Sequence, residues 1–385
     1  MELMARLRRG DTLAELCREY GISRKTGNKF KKRFEQVGIS GLQDQSRAPR
    51  IIPHKTPPEL VEMIVEHRKQ HPTWGPKKLK NTLETMLGRV LPAPSTIGDI
   101  LTEHELITPR RRRQKHKSTP TGLRDVSAPN DTWCIDYKGQ FRLGDGTYCY
   151  PLTITDQFSR FIVCCEGMGA ISDEAAREQC LEIFCTYGLP NVMRSDNGVP
   201  FASTGLAGLT KLSVLWLRLG IILERIRPAS PQENGRHERM HRTLKQETTR
   251  PARTNLLQQQ ERFDAFVEEF NTQRPHEALD MKRPAEVYAP SQRCCPTTLP
   301  ELDYRGHDDI RLVTSEGLVN LRGRKQLHLT RALAGEYVGL REDDVVEDRW
   351  LVTFANLDLG HVEPGSNHFT PMSLATPTSL APSEA

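Results

Sequence analysis

The sequence has no run of about 18 consecutive apolar residues, so no segment of it reads as a membrane-spanning helix. It has no CxxC pair. Its nine cysteines are an odd, scattered set that includes the adjacent pairs Cys164-Cys165 and Cys294-Cys295. That usage excludes a disulfide scaffold and a paired-cysteine zinc site, and it fits free thiols in a reducing cytoplasm. The opening residues, Met1 to Arg6, include no apolar stretch of signal-peptide length, so secretion is not expected.

What is present is a chain of 385 residues, enough for two to four domains at roughly 100–200 residues each. With 37% hydrophobic and 27% charged residues and a mean hydropathy of −0.56, it is polar yet has material for real cores. The net charge of +5 conceals an asymmetry. Residues 1–120 hold 25 of the 54 basic residues but only 13 of the 49 acidic ones, leaving 29 and 36 for the rest. A basic third joined to an acidic remainder points to a polyanion-binding module coupled to something else.

Residues 11–34 read as two short helices about a turn. Leu13, Leu16, Cys17 and Tyr20 form an apolar face, Gly21 supplies the turn, and Ser23 caps a second helix over 24–34. That helix has six Lys/Arg in eleven residues, with Phe30 and Phe34 left for the core. A basic second helix after a glycine turn is the pattern of a DNA-reading helix-turn-helix, with Arg24, Lys25, Asn28, Lys29 and Lys32 as candidate DNA contacts. After a Pro-rich linker, helices opening at Pro58, Trp74 and Pro94 read as a second, less basic module, with Ser95 as a cap and the last helix over 96–105. The run Arg110, Arg111, Arg112, Arg113 that follows reads as a clamp on backbone phosphates.

From Asp131 the texture changes to strands. Runs at 132–137, 146–156 and 160–165, joined by tight turns, predict an antiparallel meander. A helix over 172–187, a strand over 191–195, a helix near 208–219, a strand over 221–227 and a long helix over 233–248 complete a mixed α/β order. Three acids stand at telling places: Asp136 inside an otherwise apolar strand, Asp196 at a strand end before glycine, and Glu233 at the start of the long helix. They are separated by 59 and 36 residues. Singly, each has a structural explanation: an ion pair, a turn, a helix-dipole charge. Together they could hold two Mg²⁺ ions about 3.5–4 Å apart, the clamp for in-line phosphoryl transfer. His237 and His241 sit one turn apart, but the sequence shows no third ligand for zinc, so DNA contact or support of the acids is expected of them. Asp156 reads as supporting its turn.

The wording around the acids adds a resemblance. Trp133-Cys134-Ile135-Asp136-Tyr137, Arg194-Ser195-Asp196-Asn197-Gly198, the run from Pro231 to Lys245, and the stretch from Phe270 to Leu279 resemble transposases of the insertion sequence 481 family, within the ribonuclease H-like integrases. The resemblance implies a triad of Asp136, Asp196 and Glu233 that binds two Mg²⁺ ions, with Mn²⁺ as a substitute. It implies strand cleavage at the transposon ends and strand transfer into target DNA, without a covalent protein–DNA intermediate. Arg236, His237, Arg239 and Lys245 would then lie near DNA phosphates. The expected partners are double-stranded DNA and further copies of the chain, bound together on it, in a bacterial cytoplasm at the nucleoid.

The expected architecture is multidomain: all-α helix-turn-helix modules at 1–45 and 59–108, linkers at 46–58 and 109–127, and an α/β ribonuclease H-like core at 128–290. A small SH3-like β-barrel at 305–362 and a disordered tail at 363–385 follow. The competing readings are a catalytically silent DNA-binding relative and a nuclease of the same fold without strand transfer.

Overall fold

Polar caps and prolines set the starts of the N-terminal helices. Thr12 Oγ1 accepts from the Glu15 N–H and Ser23 Oγ from the Thr26 N–H, and these bonds open α2 (Leu13–Glu19) and α3 (Arg24–Val37) after α1 (Glu2–Arg8). Gly27 sits where α3 crosses α2, and a Cβ there would lie 2.4 Å from Cys17 Sγ, so the close crossing requires glycine. The second module comprises α4 (Pro58–Gln70), α5 (Pro76–Leu87) and α6 (Pro94–Glu103) around Ile64, Trp74, Leu79, Ile97 and Leu101. Pro76 and Pro94 occupy first-turn positions, where the missing N–H is not needed. Ser95, expected as a cap, therefore lies inside α6, whose N-cap is Ala93.

The computed structural model describes residues 1–44, 55–107, 122–227, 230–321, 326–343, 346–347, 349–364 and 368–372. It divides into two compact units, Met1–Pro58 and Glu59–Ala385. The Arg110–Arg113 run and residues 365–367 and 373–385 of the expected disordered tail lie outside the described residues, whereas Phe369–Pro371 of that tail form a strand.

The central sheet contains β1 (Thr132–Tyr137), β2 (Phe141–Arg142), β3 (Tyr148–Asp156) and β4 (Ile162–Met168). After α7 (Asp173–Tyr187) come β5 (Val192–Ser195), α8 (Lys211–Arg218) and β6 (Ile222–Arg225). β3 pairs antiparallel with both β1 and β4, giving the meander, while β1–β5 and β5–β6 are parallel. Alternation along the strands sorts their side chains between two layers. Trp133, Ile135, Leu152 and Ile154 pack with Phe184 of α7 and Trp216 of α8. Cys149, Ile162 and Cys165 pack with α9 (Gly235–Thr248) and α10 (Leu256–Thr272), through Met240, Leu244, Phe263 and Phe266. By the same alternation Asp136 leaves β1 on the α9 side.

Two differences from the sequence expectation concern the ends of this core. α9 starts at Gly235, after a 3₁₀ turn over Pro231–Asn234, so Glu233 precedes the helix. α10 was not anticipated at all. Its apolar residues Phe263, Phe266 and Phe270 are spaced among Gln, Glu and Asp, and the match to a helical face is legible once the buried residues are known.

A short helix, α11 (Pro284–Val287), leads to the C-terminal β region: β7 (Asp309–Leu312), β8 (Leu318–Asn320), β9 (Gln326–His328), β10 (Tyr337–Glu342), β11 (Trp350–Phe354), β12 (Leu357–Val362) and β13 (Phe369–Pro371). These were expected to close into a small barrel. Among the described residues they form an open five-stranded sheet, β13-β12-β11-β10-β7, and a separate β8–β9 ribbon. The reason lies in what covers the apolar face. Val338, Leu340, Val352 and Phe354 pack with Leu209, and with Val214 and Leu217 of α8, so the central α/β core supplies a wall that a barrel would make from its own strands. Arg218 of α8 and Glu336, 2.5 Å apart, tie the same contact.

Candidate active site

Two parallel strands bring the first two acids together. In the β1–β5 pairing Thr132 lies opposite Val192 and Cys134 opposite Arg194, and the same offset sets Asp136 against Asp196 just past the end of β5. Both then emerge on one face just past the C-terminal end of the β1–β5 pairing, where side chains can meet a ligand. The residue before Asp196 in that face, Arg194, is held in a buried pair with Glu224 at 2.6 Å. The Asp196 carboxylate accepts from the Gly198 N–H at 3.0 Å, which fixes the turn.

The Asp136 carboxyl is three-quarters buried, and its pKa is pushed up from 3.8 to about 7. Burial is the largest cause and the Asp196 charge the next. The Tyr137 N–H and Lys138 oppose the rise, and Glu238 adds to it. Asp136 thus lies within the fields of two other carboxylates, Asp196 and Glu238.

Glu233 has a different neighbourhood. Its carboxylate is fully buried and accepts from the Arg227 N–H at 2.7 Å and from Arg227 Nε at 2.5 Å. Glu233 and Arg227 together bridge the approach to α9. Glu238 stands on α9 three residues before His241, whose Nδ1 lies 3.7 Å from Asp136 Oδ2.

His237, expected as a DNA contact, is 1% exposed. Its Nδ1 meets Thr155 Oγ1 at 2.6 Å and its Nε2 meets Thr153 Oγ1 at 2.8 Å, while His241 Nε2 reaches the same Thr153 oxygen at 2.6 Å. Burial keeps both imidazoles neutral, lowering His237 to about 3 and His241 further, with the charge of Lys138 acting in the same direction. A buried imidazole pair held by two threonine hydroxyls fastens α9 across β3 and cannot reach a phosphate. Thr153 and Thr155 were not singled out from sequence, because only the fold places them under α9.

Asp136, His237 and His241 each offer a ligand atom within 4.8 Å of the others, so Asp136 is the third group that the sequence did not provide for the two histidines. Both nitrogens of His237 are already engaged with threonine, however, which leaves His241 Nδ1 as the imidazole atom facing the carboxylate. Of the remaining expected DNA contacts, Arg24, Lys25, Asn28, Lys29 and Lys32 are exposed on α3, and Arg236, Arg239 and Lys245 are exposed on α9. Asp156 accepts from the Asn130 and Ser159 N–H groups and from Ser159 Oγ, which fits its expected role in the turn. Among the described residues no helix is long and apolar enough to cross a membrane.

Models of known families match along most of this length. Integrase core domain models cover residues 126–231 and 219–284, a homeodomain-like domain 26–101 and a helix-turn-helix domain 1–50. The insertion element IS476 uncharacterized 39.2 kDa protein of Xanthomonas euvesicatoria is 25% identical over 286 residues, 73% of this chain and 79% of that protein. The insertion element IS407 uncharacterized 31.7 kDa protein of Burkholderia multivorans is 27% identical, covering 47% of this chain and 63% of its own. The Gag-Pol polyprotein of baboon endogenous virus is 32% identical over 132 residues, but this chain spans only 7% of it. A solved simian T-cell lymphotropic virus intasome covers 77% of this chain and 97% of its own, with 16% identity and a TM-score of 0.38. The chain therefore carries helix-turn-helix and homeodomain-like domains in its N-terminal third, followed by an integrase core domain.

Proposed function

We propose that this chain is the transposase of a bacterial insertion sequence, of the 481 family or close to it, and that Asp136, Asp196 and Glu238 are its catalytic acids. The parallel register that sets Asp136 against Asp196 carries the reading, because it turns two distant carboxylates into neighbours. Three carboxylates suit a hard cation. The Asp136 pKa is raised first by burial and then by the Asp196 charge, and a bound divalent ion would favour the ionised form against both.

Asp136, Asp196 and Glu238 would hold two Mg²⁺ ions, or Mn²⁺ in their place. When bound, these would supply an activated water or DNA 3′-hydroxyl and stabilise the leaving 3′-oxygen. Around them the protein's own groups do the positioning. His237, His241, Thr153 and Thr155 lock α9 to β3 and so fix Glu238 relative to Asp136. Glu233 and Arg227 set the entry to that helix. On this reading residues 1–45 recognise the terminal repeats, 128–290 cut and join, and several copies act together on DNA in the cytoplasm.

The test is a strand-transfer assay with labelled transposon-end DNA and a plasmid target, with Mg²⁺ present or chelated. Joined product should require Mg²⁺ and disappear in Glu238→Gln, whereas Glu233→Gln should retain it. If Glu233→Gln is dead and Glu238→Gln active, the third acid is Glu233. End binding without any joining would favour a silent DNA-binding relative, and cleavage without joining a nuclease.

A further inference from the structure

α9 lines a second cleft, of about 490 Å³, whose walls do not include Asp136 or Asp196. Six cations face it: Lys78 of α5, Arg160 from the turn after β3, Arg236, Arg239 and Arg242 of α9, and Arg274 just past α10. Its carboxylates are engaged elsewhere. Asp156 accepts from Asn130 and Ser159, and Glu277 pairs with Lys77 at 2.7 Å. Arg274 is paired with Glu247 at 3.0 Å, but among the described residues Lys78, Arg160, Arg236, Arg239 and Arg242 form no ion pair.

Like charges crowded at partly buried positions cost free energy unless an anion joins them. Lys78 is held down to about 7 by burial and then by Arg274, with Glu277 and Glu247 opposing, and Arg160 to about 10 by burial and then by Arg236, with Asp156 opposing. Arg160 also adopts a φ of 67°, uncommon for a residue with a Cβ, and the turn built on Asp156 holds it there. Its guanidinium and that of Arg236 both donate to the Gln157 carbonyl, which fixes them side by side. Among the described residues the buried His276 Nε2 in the same wall has no hydrogen-bond partner.

We propose that this cleft binds a DNA backbone phosphate, so that one strand passes between the second helix-turn-helix module and α9. The inference rests on the reading above that the substrate is DNA. Guanidinium forks match phosphate geometry and read no base, so the contact is independent of sequence. The exposed cations of α9 run from Arg236 to Lys245, about 13 Å of helix, which is longer than a single small anion needs. The second module thus completes a cleft that the core alone leaves one-sided: Thr73 and Arg274 share Glu247, and His71 meets Glu269 at 2.9 Å, holding Lys78 opposite α9.

The experiment measures fluorescence anisotropy of the full chain with a transposon-end duplex and an unrelated duplex, without divalent metal, over a salt series. Lys78→Met with Arg242→Gln should weaken both duplexes alike, by roughly tenfold per lost contact at 0.1 M salt. The slope of log affinity against log salt should flatten by about one per contact. Arg242→Gln alone, on the exposed face of α9, gives the same reading at half the size if the double variant does not fold. Inorganic phosphate is the second probe, against chloride at matched ionic strength. If it competes with both duplexes in the wild type and not in the variants, the cleft is the phosphate site. Unchanged affinity and slope in a folded variant would overturn the proposal, as would a loss confined to the end duplex or phosphate binding with no effect on DNA. A wild type that joins no DNA would sink the transposase reading and leave this measurement intact.

Discussion

Arg24, Lys25, Asn28, Lys29 and Lys32 are exposed on α3 and form no ion pair among the described residues, whereas several polar residues of the second module are tied to the core. There Thr73 and Arg274 share Glu247, His71 meets Glu269 and Lys77 meets Glu277. The two modules have similar helix patterns and divergent surroundings. Free cations on a helix are available to a groove. Cations and hydroxyls tied across an interface hold a domain in place, and the comparison teaches that helix pattern alone does not distinguish a reader from a wall.

The sharpest way to break that contrast is to remove chemistry and keep reading. Asp196→Asn should cut cleavage by at least about a thousandfold, on the order of 4 kcal/mol, while a gel shift on the end duplex stays within twofold. Loss of end binding in a folded Asp196→Asn would show that the acids support architecture instead.

Next in size is the tether. Arg274 is buried against Glu247, so Arg274→Ala should leave a carboxylate unpaired and cost about 3 kcal/mol in urea unfolding. A cost under about 0.5 kcal/mol would place the second module's attachment elsewhere.

Asp136→Asn should act in the opposite direction on stability. A carboxyl raised by folding favours the fold while protonated and loses that contribution as pH rises from its ordinary value through about 7. Without divalent metal the variant should therefore be more stable than wild type at pH 8, by on the order of 2 kcal/mol, and the gain should shrink toward pH 4. Thermal melts at the two pH values check this, and a variant less stable at pH 8 would contradict the crowded-carboxylate picture. Added Mg²⁺ should raise the wild-type melting temperature more than the variant's.

Arg24→Ala or Asn28→Ala should weaken end-duplex binding about tenfold, near 1.4 kcal/mol, with little change on unrelated DNA. An unchanged gel shift would mean α3 is not the reader. The smallest effect belongs to Lys77→Ala: the Lys77–Glu277 pair is more than half exposed on both sides, and exposed pairs contribute little, so stability should move by less than about 0.5 kcal/mol.

Local rules made much of the chain legible from sequence. Ser23 and Ser172 caps, Gly21 and Gly188 stops and the strand alternation of 132–165 depend on neighbours within a few residues, and α3, α7, β1, β3 and β4 follow them, while the short β2 was not foreseen. Asp136 and Asp196 were legible because an acid in an apolar strand and an acid at a strand end before glycine are locally anomalous. What stayed hidden depends on distant partners. Glu233 and Glu238 look alike along the chain, and Arg227 reaching one while Asp136 feels the other separates them. His237 looks like a surface histidine until β3 sets Thr153 and Thr155 beneath it.

The sequence by itself determined that the chain has basic helical modules ahead of a mixed α/β core with acids at strand ends, because caps, periodicity and charge act over short separations. Only the tertiary structure decided which carboxylates share a field, which histidines are buried, why the C-terminal sheet stays open against α8, and where Lys78 meets the arginines of α9. Each of those depends on residues far apart in the chain being packed together, where low dielectric and lost solvent turn proximity into free energy.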